Sequence, residues 1–241
     1  MRFDEIDLVR GIGILLVIVY HFFFDLTFFG VNDWAFSLPL LFIGRLAATI
    51  MILISGVALS ISIQKWRKRK GAAIHHAKRT MLLGAVAILI TSATFIYPHE
   101  GFIFFGIIHF LAVASVIGLM LDRFPRIQVA IVLASLPIWL YLQMQTSASA
   151  LLSILGTGTT IYTLDLFSIF PWIGVFFLGM LIGRREYSVQ GRRFDAKHLP
   201  HNAVLEWMGR HTLAIYLIHQ LVLIGSMMLI LSFLQSGPHL L

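Results

Sequence analysis

The sequence predicts an all-α fold: a polytopic membrane helix bundle of about seven transmembrane helices, N-terminus cytoplasmic and C-terminus outside. Three observations predict it. Of 241 residues, 59% are hydrophobic and only 12% charged, where a soluble domain would carry about 25% charged residues. Apolar runs near the ~20 residues needed to cross a bilayer recur at about 8–29, 38–63, 80–97, 102–121, 127–143, 164–183 and 212–234. Of the connections between those runs, only alternate ones carry lysine and arginine.

Span one reads DLVRGIGILLVIVYHFFFDL. It is too long for a signal-peptide core, carries His21 and Asp25, and lacks a small-residue cleavage site, so it is expected to stay in the chain. After span two comes QKWRKRKGAAIHHAKR, with Lys65, Arg67, Lys68, Arg69, Lys70, Lys78 and Arg79. Arg123 and Arg126 separate spans four and five; span five is short and holds Pro137. Segment 184–211 carries Arg184, Arg185, Arg192, Arg193, Lys197 and Arg210. Loops 30–37, 98–101 and 144–163 and the C-terminal tail hold no lysine or arginine. The positive-inside rule thus sets one orientation for all the spans.

Two connections stand out. NAVLEWMGR, before the last span, is amphipathic and is expected to lie at the cytoplasmic interface. The outer segment MQTSASALLSILGTGTTIYT is long and uncharged, and reads as a lid or as a plain exposed connection. Residues 1–241 read as a single integral membrane domain, expected in the cytoplasmic membrane of a prokaryote.

Several function classes fall away. The net charge of +7 invites a nucleic-acid partner, but the topology accounts for it, so none is expected. No cysteine is present, which rules out disulfides, thiolate metal sites and an acyl-cysteine intermediate. His75–His76 and His198-x-x-His201 lie in basic segments without paired carboxylates, so no metal is expected. A retinal Schiff base needs a lysine in the last helix, and span seven has none. No internal repeat of the transporter kind is visible.

Ionisable groups inside the apolar runs are the functional signal. Arg10, His21 and Asp25 share one stripe of span one. From i to i+11 a helix makes about three turns plus ~20° and rises ~16 Å, and i+4 stays on that face. Each such group costs roughly 2.5–3.5 kcal/mol on insertion scales. Arg45 enters span two from outside, and His109 enters span four to a similar depth of about 10 Å. Asp165 opens span six and Glu100 precedes span four, while His219 reaches the middle of span seven from the cytoplasmic side. These positions predict polar groups converging on the outer half of one bundle. Arg10 and Asp7 mark its cytoplasmic mouth and are spaced to pair at i,i+3. Plainer roles stay open: a snorkelling anchor for Arg10, an ion pair of Arg45 with Asp25 or Asp165, and interhelical hydrogen bonding for the histidines.

DLVRGIGILLVIVYHFFFDL, IGRLAATIMILISGVALS, FGIIHFLAVASVIGL, LDLFSIFPWIGVFFLGMLIGR and MGRHTLAIYLIHQ, taken in order, resemble the catalytic-domain family of heparan-alpha-glucosaminide N-acetyltransferase. Arg10-x10-His21 also resembles the first-helix motif of the acyltransferase-3 membrane proteins. The resemblance implies transfer of an acyl group, typically acetyl from acetyl-CoA, to a sugar amine or hydroxyl. It implies the CoA nucleotide at the cytoplasmic side and the acceptor in the outer half. By that likeness His21 matches the catalytic first-helix histidine and Arg10 its motif's arginine. Arg45 matches the GR arginine, Asp165 the aspartate before PW, and His219 the YLIHQ histidine. The chain departs from the animal enzyme in being shorter, with fewer helices. The animal enzyme's catalytic histidine also lies beyond its first helix.

The chemistry fits beside the likeness. A histidine near its ordinary pKa of ~6.5 can act as a general base at neutral pH. A carboxylate at Asp25 or Asp165 can fix its tautomer, and Arg45 can stabilise an oxyanion or hold an anionic substrate. The expected catalytic set is therefore His21, Asp25, Arg45 and Asp165, with Arg10, His109 and His219 binding substrate. Expected partners are the lipid bilayer, acyl-CoA and a sugar-like or other small acceptor; a homodimer is left open. The competing expectation is a small-solute or proton-coupled transporter using the His21/Asp25/Arg45 cluster.

Overall fold

With no water to satisfy backbone groups inside a bilayer, an apolar chain must satisfy them within helices. A computed structural model describes residues 3–34, 37–67, 69–188, 191–194 and 201–236. Its main helices are α1 (Asp4–Phe28), α2 (Leu38–Trp66), α3 (Ala72–Ile96), α4 (Ile107–Leu121), α5 (Pro125–Gln143), the short α6 (Ala150–Leu155), α7 (Ile169–Glu186), α8 (Ala203–Arg210) and α9 (Thr212–Ser236). The protein is an all-α membrane bundle, and five of the described helices, α1, α2, α3, α5 and α9, are long and apolar enough to cross a membrane. Lys68, Lys197, His198 and the tail from 237 onward lie outside the described residues.

Helix limits follow local chemistry. Asp4, Glu5 and Asp7 in the first turn of α1 complement its dipole. Asn202 caps α8 by accepting the Val204 and Leu205 N–H groups, both at 3.1 Å. Helix α3 starts at Ala72 rather than at 80, directly after Gly71 at φ 85°, so His75 and His76 are helical.

Helix α4 starts at Ile107, not at 102, and its 15 residues span ~22 Å. The preceding residues are extended: Phe105 bridges Leu166, and the Phe167 N–H donates to the Phe105 carbonyl at 2.9 Å. For the same reason α7 begins at Ile169 rather than 164. Phe170, held extended as a residue before proline, hands over to Pro171 at the helix entrance. Asp165 therefore sits on an extended strap, not on a helix. Segment 144–163 is not bare loop either: β1 (Thr146–Ser147) pairs in parallel with β2 (Gly158–Thr159) around α6.

The chain forms two compact units. Residues 2–51 and 197–241 make one. There α1 packs against α8 and α9. A Cβ on Gly11 would overlap the Leu205 carbonyl, and one on Gly209 would overlap the Asp7 carbonyl. The two backbones thus touch through a reciprocal pair of glycine notches, the usual route to close helix approach in membranes. On α2, Gly44 lies flat against the Tyr20 ring.

Residues 52–196 make the other unit. Its core holds Ile52, Phe110, Ala114, Phe176, Phe177 and Met180. Gly56 of α2 abuts the Phe176 carbonyl of α7, while Gly179 and Gly183 abut the Leu53 and Val57 carbonyls. Gly179-x3-Gly183 is a small-xxx-small face. In α5, Gln128 is fully buried and gives its Nε2–H to the Leu121 carbonyl at 2.8 Å.

Candidate functional site

The first unit collects His21 and Asp25 on α1 with His219 and Gln220 on α9. Being four residues apart, His21 and Asp25 share a face of α1. The His21 and His219 rings meet edge to face, 5.0 Å between centres and 84° between planes. A backbone carbonyl can only accept, so each contact to one fixes a tautomer. His21 Nδ1 donates to the Val17 carbonyl at 2.9 Å, and His219 Nδ1 donates to the Tyr216 carbonyl at 2.7 Å. In both neutral rings the Nε2 lone pair is left as the basic position.

Beside them, Gln220 Nε2 donates to Asp25 Oδ1 at 2.9 Å. Asp25 and His219 are buried, at 2% and 8% exposure. Asp25 Oδ2, His219 Nε2 and Gln220 Oε1 are buried with no hydrogen-bond partner among the described residues. All three are acceptors when the groups are in their ordinary neutral-pH forms. Left unmet, each costs about 1–3 kcal/mol, so the cluster calls for hydrogen-bond donors. An amine or a hydroxyl supplies them.

Arg45 belongs to the same unit. Its side chain is exposed on α2, and the ion pair with Asp25 that its depth invited is not formed. At the other end of α1, Arg10 Nη1 lies 3.6 Å from Oδ1 of the buried Asp7, the pairing its i,i+3 spacing predicts.

In the 52–196 unit, His109 and Asp165 meet at the start of α4. His109 Nδ1 accepts the Gly106 N–H at 3.2 Å, and Nε2 donates to Thr91 Oγ1 at 2.9 Å. The Thr91 hydroxyl in turn donates a hydrogen bond to the Ile103 carbonyl at 2.7 Å. Both ring nitrogens of His109 are thereby committed. Asp165 Oδ2 accepts the Ile107 N–H at 3.3 Å, the position where an anion is favoured at a helix N-terminus.

Gln220 and Thr91 join these clusters although neither is ionisable. The signal for Gln220 was an amide beside His219 within an apolar helix. Thr91 gave none beyond its ordinary place in TSAT. Among the described residues no group of three or more His, Asp or Glu side chains is placed to hold a metal ion.

Apolar helices long enough to cross a bilayer, with bare imidazole nitrogens and a buried carboxylate set among them, define an integral membrane protein with an intramembrane polar site. The chain belongs to the heparan-alpha-glucosaminide N-acetyltransferase catalytic-domain family, whose family model matches residues 2–221. No curated protein and no solved structure matches it.

Proposed function

We propose that the protein transfers an acyl group, acetyl from acetyl-CoA, to an amine or hydroxyl acceptor of sugar-like type in the outer half of a prokaryotic cytoplasmic membrane. Seven spans, an N-terminus in the cytoplasm and a C-terminus outside go with this reading. What supports it most is the His21–His219 pair, with both Nδ1 positions tied down and both Nε2 positions basic.

A thioester is already activated, so the protein must chiefly deprotonate and orient the acceptor. His21 Nε2 takes the proton of the acceptor's N–H or O–H as that atom attacks the thioester carbonyl. The carbon–sulfur bond then breaks, and the proton held on His21 returns to the departing CoA sulfur. Asp25, held by Gln220, and His219 accept hydrogen bonds from the acceptor and fix its attacking atom. Arg45 stabilises negative charge on the reacting carbonyl oxygen or the substrate's anionic group. Arg10, about three turns away on the His21 stripe, binds the anionic end of the donor. To His109 and Asp165 we assign the positioning of α4.

The decisive experiment incubates purified protein with radiolabelled acetyl-CoA and an amino sugar, beside His21→Ala. Acetyl transfer with CoA release in the wild type, lost in His21→Ala while acetyl-CoA binding persists, is expected. A folded protein that never binds acetyl-CoA sinks the reading. Retained turnover in His21→Ala removes His21 as the base.

A further inference from the structure

A cavity of about 690 Å³ opens in the 52–196 unit, where residues from the end of α2, the start of α3, the α4–α5 junction and the end of α7 line it. Its polar lining is Arg67, His76, Asp122, Arg123 and Arg184. Asp122 is buried and grips two of the arginines. Arg67 Nη2 donates to its Oδ2 at 2.8 Å and Arg184 Nη2 to its Oδ1 at 2.8 Å, with Arg184 also reaching the Asp122 backbone carbonyl.

Two guanidiniums pair with the one carboxylate and a third, that of Arg123, lines the same cavity, so positive charge is in excess. Each guanidinium carries five N–H donors, and Asp122 engages only part of that supply. The carboxylate holds the forks in place, which lowers the ordering cost of binding a second, tetrahedral oxyanion. His76 is more than nine-tenths buried, and its Nδ1 has no hydrogen-bond partner among the described residues. Positive-inside topology explains basic residues on solvated loops; it does not require a cavity or a buried imidazole beneath them. The volume lies within the usual range for small-molecule sites.

We propose that this cavity binds a phosphate group, held by Arg67, Arg123 and Arg184 and hydrogen-bonded by His76. The phosphate belongs either to a soluble phosphate-bearing molecule or to an anionic lipid headgroup; the recognition chemistry is shared. The site does not depend on the reading of the His21 cluster.

Purified full-length protein tests it in two arms. In neutral detergent it is titrated with inorganic pyrophosphate by calorimetry. In nanodiscs of phosphatidylcholine with or without phosphatidylglycerol, lipid retention is read by native mass spectrometry. Arg123→Gln and His76→Gln leave the Asp122 ion pairs in place, and an unchanged melting temperature verifies the fold. Saturable binding in either arm, weakened at least fivefold by Arg123→Gln and weakened by added salt, is the expected result. Pyrophosphate binding assigns the soluble source, and selective phosphatidylglycerol retention assigns the lipid. No saturable binding in either arm, or binding indifferent to both substitutions, overturns the proposal.

Discussion

His21 and His219 face each other edge to face across 5.0 Å, each with Nδ1 bound to a carbonyl of its own helix. Two imidazoles locked in the same tautomer both present Nε2 as the acceptor, and position relative to substrate divides their work. If His21 removes the proton and His219 orients the acceptor, His219→Gln keeps the chemistry at His21 and damages acceptor binding. A rise in acceptor KM with a smaller fall in kcat is expected. Steady-state kinetics over a range of acceptor concentration checks it. For His21→Gln the loss falls on kcat, by roughly 10²–10⁴-fold.

The Asp25–Gln220 hydrogen bond joins α1 to α9. Such bonds between membrane helices contribute about 0.6 kcal/mol on average and at most about 1.7. A double-mutant cycle with Asp25→Asn and Gln220→Leu, read by thermal unfolding in detergent, is expected to give a coupling in that range. No coupling would mean that the contact does not form in solution.

The glycine notches make a sharper demand. Gly11→Ala and Gly209→Ala push a methyl group into a facing carbonyl, and overpacking of this kind costs about 1–3 kcal/mol. Gly84 and Gly225 have nothing within 4 Å of an added Cβ, so alanine there is expected to be neutral or to stabilise by up to ~1 kcal/mol. Melting temperatures of the four variants should separate into two pairs.

Topology is testable because the chain holds no cysteine. Single cysteines at Ser149 and Lys70 lie on connections that the charge pattern puts on opposite sides. A membrane-impermeant maleimide applied to intact cells is expected to label Ser149→Cys and to reach Lys70→Cys only after lysis. The reverse pattern would invert the orientation.

Much of the fold was legible because the bilayer leaves few options. Apolar runs must become helices, and α1, α2, α5 and α9 fall close to the runs that predict them. Where hydropathy misled, backbone pairing had displaced helix. Residues 102–106 and 164–168 are apolar enough to extend α4 and α7, but the Phe105–Leu166 bridge draws both into an extended strap. Asp165 consequently meets the N-terminus of α4, a relation that no local pattern encodes. At the candidate site, the ionisable residues announced themselves by their insertion cost. Gln220 did not, since an amide beside a histidine in an apolar helix reads as ordinary hydrogen bonding. The tautomers of His21 and His219 depend on which carbonyl each ring reaches, so they belong to the coordinates alone.

Two partners of α1, the helices α8 and α9, are made long after it: Gln220 follows Asp25 by 195 residues. Loop-closure entropy grows only slowly with such a separation, so the equilibrium penalty is modest. The burden falls on biogenesis instead. A helix carrying His21 and Asp25 must enter the bilayer and wait, its polar face unmatched, until α8 and α9 have been synthesised. During that interval the unmatched face is the part of the nascent chain most open to misassembly.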